Sequence, residues 1–242
     1  MTTDSSRDAD GAAALTVFTS NSTHALLEEL ATAYARETGC ALRITADSAK
    51  LMMARIRRGE SADVAVLGVG AIDELVAARR IAPASRRLFS RSRIGIAVRT
   101  GAPRPDISSV EAFRRTLLDA GSIAHTVHGA SGMYFPQLAQ RLGIADAVKH
   151  KIVTRPGGLI GAVVAAGEAE IAFQQIAELL AVPGIDLVGP IPEEVQVIFE
   201  SAAGIFADST RQAAAEALLK YFSSPAAAAA YATRGLEPTR TA

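Results

Sequence analysis

Short apolar runs alternate with amphipathic helical segments twice along this chain. That alternation restricts it to α/β architectures, in which parallel strands are covered by helices. Leu15–Ser20 (LTVFTS) reads as a strand. Asn21 and Ser22 follow as capping residues. Leu26, Leu27, Leu30, Ala33 and Tyr34 then recur at helical spacing up to Gly39, a helix stop. Residues 41–46 form a second strand. Asp47 or Ser48 starts a helix that ends in Arg55, Arg57 and Arg58, where cations suit the helix dipole. Residues 63–67 (DVAVL) are a buried-type strand, 72–80 a helix and 93–99 (RIGIAVR) a strand. The turn-rich stretch 101–106 (GAPRPD) interrupts the pattern. A second alternation follows, with helices at 110–120, 132–142 and 158–166 and strands at 122–126, 151–154 and 170–174. Residues 185–188 and 196–206 are extended, and 210–223 and the alanine run 226–230 are helical. The long extended run permits a return crossing. The expected division is a first lobe of residues 15–95 plus 203–242, a second of 96–202, and a disordered leader at 1–14.

Composition removes several classes of function. Hydrophobic residues at 49% and charged residues at 21% exclude global disorder. Lys+Arg and Asp+Glu balance at 25 each, so no long-range field draws the chain to nucleic acid or to an anionic membrane, and neither is expected as a partner. A charged ligand must be held by local geometry instead. The single cysteine, Cys40, excludes an intramolecular disulfide and a cysteine-rich zinc site, and reads as a buried structural thiol. The leader (MTTDSSRDADGAAA) has no apolar core behind a basic start, and no stretch reaches the roughly 18–20 apolar residues of a membrane span. The expectation is a cytoplasmic protein, or a periplasmic one if the leader stands in place of a signal sequence. An ABC permease is a partner only in the exported case.

In open α/β sheets, ligands sit beyond the carboxyl ends of strands, against helix N-termini whose N–H groups hold anions without Lys or Arg. Four strand-to-helix junctions here carry small polar residues. They are Ser20, Asn21 and Ser22; Ser48; Gly129, Ala130, Ser131 and Gly132; and Gln174 with Gln175. Taken singly, such residues are ordinary caps and turns. Gln174 and Gln175 cannot both point inward from a strand, so at least one is expected at the surface. His125 and His128 lack nearby Cys or Glu to complete a metal set, so no metal and no cofactor are expected. Gly68 and Gly70 do not complete a dinucleotide fingerprint, and no Walker loop or Gly-x-Ser-x-Gly elbow is present. The arginines 79, 80, 86, 87, 91 and 93 read as a solvated face.

The blocks LTVFTSNSTHALLEELATAYARETG, DSAKLMMARIRRGESADVAVLG, RIGIAVRTGAPRPDISSVEAFRRTLL, HGASGMYFPQLAQRLGI and GEAEIAFQQIAELLAVPGIDLVGPIP resemble the type II periplasmic binding proteins, and among them the molybdate-binding-protein-like branch. The likeness runs from residue 15 to the end. It implies a two-lobed α/β fold with strand crossovers and a ligand cleft between the lobes. It maps ligand contacts onto Ser20–Ser22, Ser48 and Ala130–Ser131. In that branch a tyrosine usually closes the pocket, and Phe173-Gln174-Gln175 stands where it is expected. Amide side chains donate as well as accept, which suits an organic acid. The last block is also similar to the aconitate isomerases, enzymes built on the same fold. Two functions are therefore expected. One is binding of a small anionic metabolite, a di- or tricarboxylate or an oxyanion. The alternative is a cofactor-free cytoplasmic isomerase that moves a proton on an unsaturated di- or tricarboxylate. For the second, His128, His24 and Glu200 are candidate bases.

Overall fold

The computed structural model describes residues 14–239. Residues 1–13 of the expected leader lie outside the described residues. In chain order the first half of the fold is β1 (Leu15–Ser20), α1 (Asn21–Thr38), β2 (Leu42–Asp47), α2 (Ala49–Arg57), β3 (Val64–Gly68), α3 (Val69–Ala77) and β4 (Arg87–Ser92). The middle comprises β5 (Ile94–Arg99), α4 (Val110–Asp119), β6 (Ile123–Thr126), α5 (Ala130–Arg141), α6 (Ala145–Val148), β7 (Ile152–Arg155), α7 (Gly161–Ala165), β8 (Ile171–Gln175), α8 (Ile176–Leu179) and β9 (Ile185–Pro190). The chain finishes with β10 (Phe199–Ile205), α9 (Gln212–Phe222), α10 (Pro225–Thr233) and β11 (Leu236–Pro238).

Two sheets result, ordered β11-β4-β10-β3-β1-β2 and β7-β6-β8-β5-β9. β1 pairs parallel with β2 and β3, and β6 pairs parallel with β7 and β8, as the helix-connected runs require. β10 returns antiparallel between β3 and β4, so the last part of the chain completes the first sheet. The chain crosses between sheets twice, at Arg93 and through residues 191–198. Both crossings lie a few residues from the expected boundaries. Ile94 and Gly95 already pair within the second sheet, and residues 199–202 pair within the first, because each strand keeps its whole ladder on one side.

Each sheet has cores on its faces. Leu15, Val17, Leu26, Leu27 and Leu30 join Leu218, Leu219 and Phe222 from the returning helices in one cluster. Met52, Ile56, Leu67, Ile72 and Phe206 form another on the opposite face. In the second sheet Ile94, Ile96, Phe113, Leu117, Phe135 and Phe173 pack on one side and Ala97, Ala124, Val164 and Leu179 on the other. Two expectations need correction. Cys40 is half-buried and packs at the edge of the first core, not inside it. The arginine-rich segment forms strand β4, in which Phe89, Ser90 and Ser92 are buried. Its arginines are not simply solvated. Arg87 pairs with Glu216, Arg91 with Glu200 at 2.8 Å, and Arg93 with Glu193 and Glu237. No described helix is long and apolar enough to cross a membrane.

Candidate functional site

The ends of strands from both sheets border one cleft. The first lobe contributes Ser20, Asn21 and Ser22 at β1–α1, Ser48 and Ala49 at β2–α2, and Gly68 at β3–α3. The second contributes Thr126, Gly129 and Ala130 at β6–α5, Gly157 and Gly158 after β7, and Gln175 and Glu178 at β8–α8. Beside the crossovers, β4 adds Ser90 and Ser92, and β10 adds Phe199, Glu200 and Ser201. The space between the lobes here comes to about 630 Å³, open mouth and solvent included. Across the cleft the lobes approach closely where a Cβ placed on Gly157 would lie 3.2 Å from the Ser48 Cβ.

Helix ends bordering this cleft are left uncapped. Ser20, Ser48, Gly68 and Gly129 occupy the N-cap positions of α1, α2, α3 and α5, and no side chain there accepts from a helix N–H. Elsewhere Ser109 caps α4 by accepting from Ala112 N, and Ser224 caps α10 by accepting from Ala227 N. Ser48 therefore does not cap its helix through its side chain. Its Oγ is buried without a hydrogen-bond partner, as are Ser92 Oγ and Thr126 Oγ1 around the same cleft. Burying an unpaired hydroxyl costs roughly 1–3 kcal/mol. Three of them, beside free N–H groups and partial positive helix ends, form a surface suited to an anion's oxygens. None of the described lining residues is Lys, Arg or His.

Other expected site residues are placed differently. Ser131 is 1% exposed, and its Oγ also lacks a partner, but it is not among the lining residues. Gly132 serves packing, since a Cβ there would collide with the Thr126 carbonyl. Gln174 does not reach the surface, as one of the two glutamines was expected to. It is 1% exposed, accepts from Ile160 N at 2.8 Å and donates to Gly158 O at 2.9 Å, and so braces the glycine turn that lines the cleft. Gln175 lines the cleft itself. Neither His24 nor His128 is among the lining residues. His24 instead pairs with Glu28 one helical turn away at 3.1 Å. His125 is buried and stacked on Phe135, with ring centroids 4.8 Å apart, and burial lowers its pKa. Glu200 does border the cleft, held by Arg91.

A family model described as bacterial extracellular solute-binding protein matches residues 15–237. The chain belongs to this solute-binding family. An aconitate isomerase from a Pseudomonas species is 40% identical over 230 residues, spanning 93% of this chain and 87% of the relative. The periplasmic molybdate-binding protein of Azotobacter vinelandii has the same fold, with a TM-score of 0.80 at 21% identity over 93% of this chain and 100% of that one. The sulfate-binding protein SubI of Mycobacterium tuberculosis gives 0.73 at 17% identity, covering 93% and 87%. The architecture is thus the two-lobed periplasmic-binding fold of the molybdate-binding type.

Within this cleft, one carboxyl escaped the sequence reading altogether. Glu178 is 6% exposed and lines the cleft. Burial pushes its carboxyl up to about 8, and hydrogen bonding from the Gln175 backbone and the Gln174 side chain offsets only part of that. An acid three residues past an N-cap looks in sequence like a routine capping partner. Only the tertiary fold shows that it is buried. Ser90, Ser92 and Ser201 were missed for a related reason. They lie on β4 and β10, far apart in sequence, and Ser90 Oγ and Ser201 Oγ meet at 2.7 Å only through the return crossing.

Proposed function

We propose that the cleft takes up a small unsaturated di- or tricarboxylate and isomerises it by proton transfer, without a cofactor. The observation that carries this reading is the lining: uncapped helix ends and unpartnered hydroxyls from both lobes surround carboxyl side chains, with no basic residue among the described lining residues. Main-chain and hydroxyl donors satisfy several carboxylate oxygens at once, and they stabilise the charge that develops when a carbon acid loses its proton. The aconitate isomerase relative, aligned along most of both chains, supports aconitate as the substrate to try first. Gln175 in the lining adds an amide that can donate to a carboxylate.

Binding without turnover is the second reading, favoured by the solute-binding family to which the chain belongs. In that case the ligand is released unchanged, and a transport permease is the natural partner. Proton NMR in heavy water separates the two. Purified protein is incubated with cis-aconitate and, separately, with trans-aconitate. Interconversion is the expected result, with deuterium entering the carbon skeleton to the extent that the abstracted proton exchanges with solvent before its return. Saturable binding of either acid with no interconversion and no exchange would leave the binding role alone.

A further inference from the structure

We propose that Glu178 is the catalytic acid–base residue of this cleft, removing a proton from one carbon of the bound acid and returning it to another. The assignment rests on the isomerase reading given above and deepens it. Three consecutive residues of α8 fix the position. Ala177 is embedded in the core of the first lobe, Leu179 in a core of the second, and Glu178 lies between them on the cleft wall. Helix α8 belongs to the second lobe yet packs against α1 of the first. Its carboxyl is therefore mounted where the lobes meet, on an element both of them hold, and a group fixed in this way needs little reorganisation before reaction.

No cation accompanies it. The burial that raises its pKa is opposed only by hydrogen bonds from Gln174 and Gln175, with no contribution from Lys or Arg. The charged groups on neighbouring elements are engaged elsewhere. On α1, His24 pairs with Glu28, and Glu29 pairs with Arg234. Asp186 of β9 accepts from Thr100 and Gly101, and Arg93, just before β5, pairs with Glu193 and Glu237. Arg99 lies at the far end of β5, and Glu200 across the cleft is held by Arg91. A buried acid with no countercharge costs stability that glutamine at the same place would not.

The chemistry balances without oxidant or cofactor. In its ionised form Glu178 takes a proton from the methylene carbon next to the double bond. The C–H electron pair spreads over the three-carbon allylic unit and its carboxylates, whose charge the N–H and hydroxyl donors stabilise. The protonated Glu178 then delivers the proton to the far carbon of that unit. One C–H bond breaks, one forms, and the double bond moves by one position. A carboxylate that titrates near 8 is a stronger base than an ordinary one, and is matched to carbon-acid chemistry near neutral pH.

The test compares wild type, Glu178→Gln and Glu178→Asp on cis-aconitate, using turnover and deuterium exchange by NMR and binding by calorimetry. Glu178→Gln should bind the acid but lose about 10²–10⁴-fold in turnover and exchange. Glu178→Asp should recover part of that loss. In wild type kcat/KM should rise with pH and level off above about 8, as the base form fills; the residual rate of Glu178→Gln should lack this limb. Wild-type turnover in Glu178→Gln would overturn the assignment and leave the isomerase reading standing. Loss of binding along with turnover would overturn it too, because the amide matches the neutral acid in size. A wild-type protein that binds but neither interconverts nor exchanges would remove the isomerase reading, and this assignment with it.

Discussion

Ser48 and Ser109 occupy the same N-cap position on two helices, and their hydroxyls have different fates. Ser109 accepts from its own helix, whereas Ser48 Oγ is buried at the cleft with no partner. Substitution should separate these roles. Ser48→Ala should weaken aconitate binding by about 1–3 kcal/mol, roughly 5- to 150-fold in Kd by calorimetry, with little cost to folding. Ser109→Ala should lower stability by about 1 kcal/mol and leave Kd unchanged. An unchanged Kd in Ser48→Ala would remove that hydroxyl from the binding surface. At this scale the sequence was readable where chemistry followed from local position. Ser20, Asn21, Ser22, Ser48, Gly129 and Ala130 all line the cleft as neighbours of strand ends. It was unreadable where burial decides. Glu178 and the inward Gln174 look like surface residues until the tertiary fold buries them.

Among the elements, α5 shows how a site depends on backbone contact. Its N-terminal glycines, Gly129 and Gly132, let the helix come up against Thr126 at the end of β6. Any Cβ at Gly132 would meet the Thr126 carbonyl. Gly132→Ala should therefore destabilise the fold by about 1–3 kcal/mol in denaturant titration, with looser binding as a secondary effect. A variant as stable as wild type would show that α5 has room to shift. Elements with a clean period, such as α1 and α4, stand within a residue or two of where their pattern predicts them. The strand β4 was hidden because its arginines suggested solvent, whereas pairing on both sides with β10 and β11 buries its centre. The short α8 and β11 carry too few residues for any period to register.

For the molecule as a whole, the two lobes border one cleft and have largely separate cores, with Ala177 of the second lobe entering the core of the first. A ligand gripped by both should stabilise the entire chain. At a concentration one hundred times Kd, aconitate should add about 2.7 kcal/mol and raise Tm by roughly 5–11 °C in a thermal melt. A midpoint that fails to move at saturating acid would argue against enclosure between the lobes.

The late return of β10, α9, α10 and β11 to the first sheet has a consequence for biosynthesis. During translation the stretch from β5 to β9 emerges as an uninterrupted sheet with its covering helices, and it can consolidate while the ribosome is still at work. The opposing half must wait, because β4 has no neighbour until β10 is made. The half begun first is thus the one completed last, and a released fragment ending near residue 198 should hold a protease-resistant middle between more susceptible flanks.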